Sequence, residues 1–360
     1  MTTVKRAFKR PIKRLVVKLG SSQITDFSMK PKTAQVTALA RQIIKLHQQH
    51  IEVVLVSSGA IVLGMGELGE SKRPKELASL QARAAIGQAV LMRNYSELFK
   101  KSGLKCAQVL LTWEDFDARK RFLSARDTLE AILKEDVIPI INENDTVAVD
   151  EIKFGDNDKL SALVASCVQA DLLVILSDVE GLYDANKKVF DEVREITKEI
   201  EQVAGGTKNT QVARGGMQAK IEAVKIASHA NVPVVITNGA TDDVLVRLVN
   251  GERLGTLFVE KKEHLLARKH WIAFTAKPKG KLFIDEGACT ALLKGKSLLL
   301  PGLLKVEGHF KADEVVAIVD RQGDLIGRGI SQYAVSDLIN NHDKKGKKEV
   351  VHHDALVIRP

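Results

Sequence analysis

Leu15-Val16-Val17-Lys18-Leu19-Gly20-Ser21-Ser22 sets the reading of the whole chain: an apolar run carries one lysine and stops at a glycine and two serines. A short apolar run of this kind reads as a strand buried on both faces. A lysine inside it needs an anionic partner, unless the strand is an edge and the ammonium points to solvent. Backbone N–H groups in the Gly/Ser turn just beyond would suit a phosphate.

Similar runs recur at residues 53–56, 109–111, 138–141, 172–176 and 234–236, and each reads as a further buried parallel strand. Helical patterns lie between them; across 32–50, Val36, Leu39, Ala40, Ile43 and Ile44 share one face. The alternation predicts an α/β fold, an open and mainly parallel sheet sandwiched by helices, with ligands gathering beyond the carboxyl ends of the strands. The character changes past residue 257. A Lys-rich linker, a helix candidate and Lys277-Pro278-Lys279-Gly280 precede alternating stretches at 281–284, 315–319 and 325–330. The expected division is a basic extension over 1–14, an α/β domain over 15–260, a linker over 261–276 and a small β-rich module over 277–356, with 343–348 a solvated loop.

Composition is that of a globular protein with a sizeable core: 360 residues, 45% apolar and 28% charged. No apolar stretch is long enough to span a bilayer, so a soluble, cytoplasmic protein is expected. Cys106, Cys167 and Cys289 are too far apart for a C-x-x-C motif, and His352-His353 lacks metal-ligand spacing, so no metal site is expected. Of the net charge of +9, residues 1–14 hold Lys5, Arg6, Lys9, Arg10, Lys13 and Arg14 without an acid. Such a leader reads as a solvated extension or a targeting remnant. Aromatics at 4% leave few platforms for stacking nucleic-acid bases.

The strand ends carry the candidate chemistry. Ser57-Ser58-Gly59-Ala60 places hydroxyls and backbone donors before a helix, an anion site or an ordinary N-cap. Asn142-Glu143-Asn144-Asp145 crowds acceptors suited to an ammonium group. Phe154-Gly155-Asp156-Asn157-Asp158 is either a site or an Asx-rich turn capping a helix that starts near Leu160. Ser177-Asp178 ends the fifth strand, and Arg214-Gly215-Gly216-Met217-Gln218-Ala219-Lys220 is a diglycine turn opening a helix, its lysine either solvated or aimed at phosphate. Two look-alikes fail. Gly64-Met65-Gly66-Glu67-Leu68-Gly69 is separated from the preceding strand by an apolar stretch, and Gly295-Lys296-Ser297 has Thr290 where a P-loop needs its first glycine.

As an ordered set, the Val16-Val17-Lys18-Leu19-Gly20-Ser21 start, Ser57-Ser58-Gly59-Ala60, Asn142-Glu143-Asn144-Asp145, Phe154-Gly155-Asp156-Asn157-Asp158 and Gly215-Gly216-Met217 with Lys220 resemble the amino acid kinase family, and the tail after Lys277 resembles a PUA domain. The resemblance covers nearly the whole chain. It implies the amino acid kinase fold and ATP-dependent phosphorylation of the side-chain carboxylate of L-glutamate, with Mg²⁺ on the nucleotide, at the head of proline biosynthesis. By the same carry-over Lys18, Lys220 and Asp158 would be catalytic, and Ser58, Asn142, Asp145 and Asn157 would bind glutamate. Lys18, Gly20, Gly59, Ser177, Asp178 and the stretch from Arg214 through Gly215, Gly216, Met217, Gln218 and Ala219 to Lys220 would serve ATP. Ser177 and Arg214 stand where members of the family commonly carry threonine. The resemblance also implies a dimer or tetramer and feedback inhibition by proline; RNA contact through the PUA-like tail is the competing expectation.

Overall fold

In this computed structural model the described residues are 5, 6, 8–25, 32–148, 157–205, 216–260, 269, 272, 273, 276–340 and 349–358. They fall in two compact units, Met1–Asp115 with Phe122–His264, and Phe116–Arg121 with Leu265–Pro360. The first half of the chain runs β1 (Arg14–Leu19), α1 (Ser21–Ile24), α2 (Thr33–Gln48), β2 (Glu52–Ser57), α3 (Ala60–Glu67), α4 (Leu77–Lys100), β3 (Lys105–Leu111), α5 (Trp113–Asp117), α6 (Arg119–Lys134) and β4 (Val137–Glu143). It continues as α7 (Asn157–Cys167), β5 (Leu172–Ser177), β6 (Glu192–Val193), α8 (Lys198–Gly205), α9 (Met217–His229), β7 (Val234–Asn238), α10 (Val244–Val249) and β8 (Thr256–Phe258).

These strands form one sheet in the order β3-β4-β2-β1-β5-β7-β8-β6. β1 pairs in parallel with β2 and β5, so Lys18 lies in an interior strand and the edge-strand reading is excluded. Successive strands are laid to one side of β1 up to β4 and to the other from β5, which puts the topological switch at β1. Register keeps the tips level, with Leu19 opposite both Ser57 and Leu176. Period-two alternation sends Leu15, Val17 and Leu19 into a core with Leu39, Ile43 and Leu46 of α2 and Leu91, Tyr95 and Phe99 of α4. Val16 and Lys18 therefore point to the opposite face, where α7 packs on β1 and against α9.

The sheet is mainly parallel as expected, with β8 antiparallel to β7 near its far edge. Three sequence expectations are corrected. The third strand, read as buried, is the sheet edge and only partly covered. α7 starts at Asn157 instead of near Leu160, so Asn157 and Asp158 form its first turn. The basic leader is docked rather than solvated: buried Arg6 pairs with Asp191 at 2.8 Å, Arg10 with Asp171 at 2.9 Å, and Lys9 with Glu260 at 2.7 Å. Its acids come from distant segments, which a local charge count cannot see.

The second unit carries a five-stranded sheet in the order Leu303–Gly308, Gly280–Ile284, Val315–Val319, Leu325–Ile330 and Leu356–Ile358. A helix at Glu286–Leu293, capped by the Asp285 carboxylate accepting from Ala288 N–H at 2.7 Å, closes a core of Leu282, Leu292, Ile318 and Val350. His352, His353 and Asp354 bring ligating atoms within 4.8 Å of one another at its surface, and the His352 ring nitrogen Nδ1 accepts from Asp354 N–H.

Gly64 of the look-alike motif has a packing use, which it shares with Gly87. A Cβ on Gly64 of α3 would lie 1.9 Å from the Arg83 carbonyl oxygen, and one on Gly87 of α4 would lie 1.8 Å from that of Ala60. The two helices cross with their backbones in contact, which only glycine permits. Gly87→Ala should force them apart and lower Tm by roughly 3–10 °C in a thermal melt. An unchanged Tm would show that the crossing yields without cost.

Candidate active site

The tips of β1, β2, β4 and β5 and the first turns of α3, α7 and α9 meet in the crevice at the switch point. At its centre is Asp158, 1% exposed. Lys18 Nζ lies 2.6 Å from its Oδ1 and Lys220 Nζ 3.1 Å from its Oδ2. Both lysines are buried as well, at 7% and 6% exposure. Burial alone would push the Asp158 carboxyl up, but attraction from Lys18 and then Lys220 outweighs it and holds the group below the ordinary aspartate value. A single carboxylate thus lies between two buried lysine side chains.

Backbone donors surround this triad. Gly59 is the N-cap of α3 at φ +100°, a left-handed conformation that a side chain would strain. Gly216 caps α9, so Met217, Gln218, Ala219 and Lys220 make its first turn. A Cβ on Gly20, the N-cap of α1, would sit 3.6 Å from Lys18 Nζ, so the glycine leaves the ammonium approachable. Ser177 at the tip of β5 donates to Asp178 Oδ1 at 3.1 Å. Arg214 and Gly215, like Gly155 and Asp156, lie outside the described residues.

On the far side of Asn157 the site is lined by amides. Asn157 Nδ2 donates to Ser58 Oγ at 2.8 Å and to Asn142 Oδ1 at 3.0 Å. Asn142 Nδ2 in turn donates to Gln88 Oε1 at 2.9 Å. Asp145, just past β4, is pushed up to about 6 by burial, against the attraction of Arg73. A carboxylate desolvated in this way is better solvated by an incoming cation than by its own surroundings.

The structure thus brings Lys18, Asp158 and Lys220 into one contact cluster and Ser58, Asn142 and Asn157 into another, joined where Asn157 and Asp158 adjoin in α7, while Asp145, Ser177 and Asp178 stand at neighbouring strand tips. Sequence reading missed two glutamines. Gln23 of α1 donates to the Ser177 carbonyl at 2.9 Å and so ties the end of β1 to the end of β5. Gln88 lies on the buried face of α4 among Ala84, Gly87 and Leu91. The available signal was a polar residue at core spacing in an otherwise apolar helix face.

Among known proteins, residues 13–238 match the amino acid kinase family and residues 280–353 match the PUA domain. A glutamate 5-kinase of Caldanaerobacter subterraneus subsp. tengcongensis is 46% identical over 96% of this chain and 97% of its own. Glutamate 5-kinases of Dictyoglomus thermophilum and Syntrophotalea carbinolica are each 45% identical, over 96% and 97% of this chain and 97% and 98% of their own. With a matching profile over most of its length and relatives aligned across nearly all of it, the chain belongs to the amino acid kinase family, in its glutamate 5-kinase branch.

Proposed function

We propose that the protein transfers the γ-phosphoryl group of ATP to the side-chain carboxylate of L-glutamate, giving glutamyl 5-phosphate at the head of proline biosynthesis. The observation that carries this reading is the pair of buried lysines held on Asp158 beside an amide cluster. One half of the crevice suits phosphate, and the other suits a small zwitterion. The glutamate carboxylate is already ionised at neutral pH and needs no general base. One of its oxygens attacks the γ-phosphorus, the bond to the bridging oxygen breaks, and that electron pair leaves on ADP. Alignment and charge stabilisation are therefore the work left to the protein.

Lys18 and Lys220 would meet the oxygens on which charge builds, and Asp158 would keep both in place. Gly20, Gly59 and the first turn of α9 would supply backbone donors to the phosphates, with Ser177, Asp178, Arg214 and Gly215 on the nucleotide side. Ser58, Asn142 and Asn157 would hold glutamate, and Asp145 would pair with its ammonium group. Mg²⁺ fits as a companion of the phosphates, where it would offset their charge, because both oxygens of the central carboxylate already face lysines.

Three kinds of measurement test this: substrate choice, the effect of variants and pH dependence. Incubation with ATP, Mg²⁺, hydroxylamine and a panel of carboxylates should trap a hydroxamate from glutamate; silence with glutamate but signal from acetylglutamate, aspartate or carbamate would reassign the substrate. Lys220→Met should lower kcat by roughly 10²-fold or more. Asp158→Asn, which leaves two buried ammonium groups without their counter-ion, should also cost about 3–5 kcal/mol in urea unfolding. Full activity in either variant would remove that residue from the mechanism.

The third concerns pH. Since the Asp145 carboxyl is raised to about 6, it is charged at neutral pH, and protonation on the acid side removes the partner of the ammonium group. In a continuous ADP-release assay, kcat/KM for glutamate should be level near neutrality and fall as pH drops through about 6. Asp145→Asn should lower the plateau and flatten the acid limb. A limb that persists in this variant belongs to another group.

A further inference from the structure

The amides of the crevice form a directed chain whose polarity is fixed from one end. The Glu143 backbone N–H lies 2.9 Å from the side-chain oxygen of Asn142, and since an N–H can only donate, that atom must be Oδ1. The other end of the Asn142 amide is then Nδ2, and its partner at 2.9 Å on Gln88 must be the acceptor Oε1. By the same logic the Asn157 atom 3.0 Å from Asn142 Oδ1 must be the donor Nδ2. Asn157 Oδ1 is therefore turned away from Asn142. It is buried and hydrogen-bonds to nothing among the described residues, and the same holds for Gln88 Nε2.

Gln88 lies on α4, one residue beyond the glycine at which that helix meets α3, and is 8% exposed. Its Oε1 is the only hydrogen-bond acceptor of Asn142 Nδ2 among the described residues. Without that acceptor the Asn142 amide has a buried donor unpaired. The orientation of that amide is then left to the Glu143 N–H alone, and the Asn157 amide is held less firmly by the oxygen that orients it.

We propose that Gln88 is a positioning residue for substrate selection: through Asn142 it holds Asn157 with its carbonyl oxygen presented to the ammonium group of the acceptor amino acid. The inference rests on the glutamate reading above. It makes the pocket selective for a carboxylate that also carries an N–H donor, because an acceptor-only molecule leaves Asn157 Oδ1 buried and unpaired.

The test compares glutamate with glutarate, which has both carboxylates and no ammonium group, using ADP release by the full-length protein. In Gln88→Met the ratio of kcat/KM for glutamate over glutarate should fall by about tenfold, as for loss of one charge-assisted hydrogen bond, with KM for ATP and Tm nearly unchanged. Gln88→Glu keeps an acceptor for Asn142 Nδ2 and should restore the ratio to within about threefold of wild type. A ratio unmoved in Gln88→Met, a KM for ATP rising in step with that for glutamate, or a Gln88→Glu variant as impaired as Gln88→Met would each overturn the assignment. Wild-type protein that ignores glutamate would overturn the functional reading; normal wild-type turnover with an unmoved ratio would overturn the amide chain alone.

Discussion

Two ammonium groups cannot share a dry pocket without a carboxylate between them, and in this protein the arrangement of the crevice follows from supplying one. Lys18 is delivered by the central strand and Lys220 by the opening turn of α9, while Asp158 comes from the first turn of α7, which packs on that strand and against that helix. Were β1 an edge, its lysine would reach water and need no partner. Removing the carboxylate leaves two buried like charges; removing a lysine leaves the carboxylate half satisfied. The three side chains are thus interdependent, and they bind together elements that sequence sets far apart.

Around this triad the crevice has two chemistries in one concavity. Level strand tips and helix N-termini turn backbone N–H groups and two ammonium groups toward one side, while Ser58, Asn142, Asn157 and Asp145 offer hydroxyl, amide and carboxylate groups on the other. Such a division suits a reaction in which a polyanion and a zwitterion must be brought in line without proton transfer. Asn157 and Asp158 are adjacent on one helical turn, which fixes the spacing between the amide cluster and the lysine pair by helix geometry.

Much of this was legible in the sequence because the relevant signals are local. A lysine in an apolar strand, glycines after β1 and β2, polar clusters after β4 and β5, and the turns that open α7 and α9 identify these strands and all three groups of the triad. What escaped is non-local. The docking of Arg6 depends on Asp191, which is brought near only by the edge of the sheet. Gly64 reads as a motif glycine until α3 and α4 are placed backbone to backbone, with Gly87 at the same crossing. Gln23 and Gln88 read as incidental polar residues on helices, and their meaning lies in the strand tips they hold. The antiparallel β8 is three residues long, too short for periodicity to reveal.

The buried atoms left over by the amide chain bear on stability as well as on recognition. A desolvated donor or acceptor without a partner costs the fold about 1–3 kcal/mol, and Gln88 Nε2 and Asn157 Oδ1 are two such atoms. A sequence optimised for robustness alone would fill these positions with apolar side chains, and the protein is less stable than its scaffold allows because it does not. Variants selected for heat tolerance would gain by erasing these atoms together with the hydrogen-bond partners that their loss would orphan, and on the proposed role of the amide chain the same change would blunt discrimination between acceptors. Resistance to unfolding and choice of acceptor therefore pull the same few positions in opposite directions, and thermal selection on this scaffold would act there as a selection against its specificity.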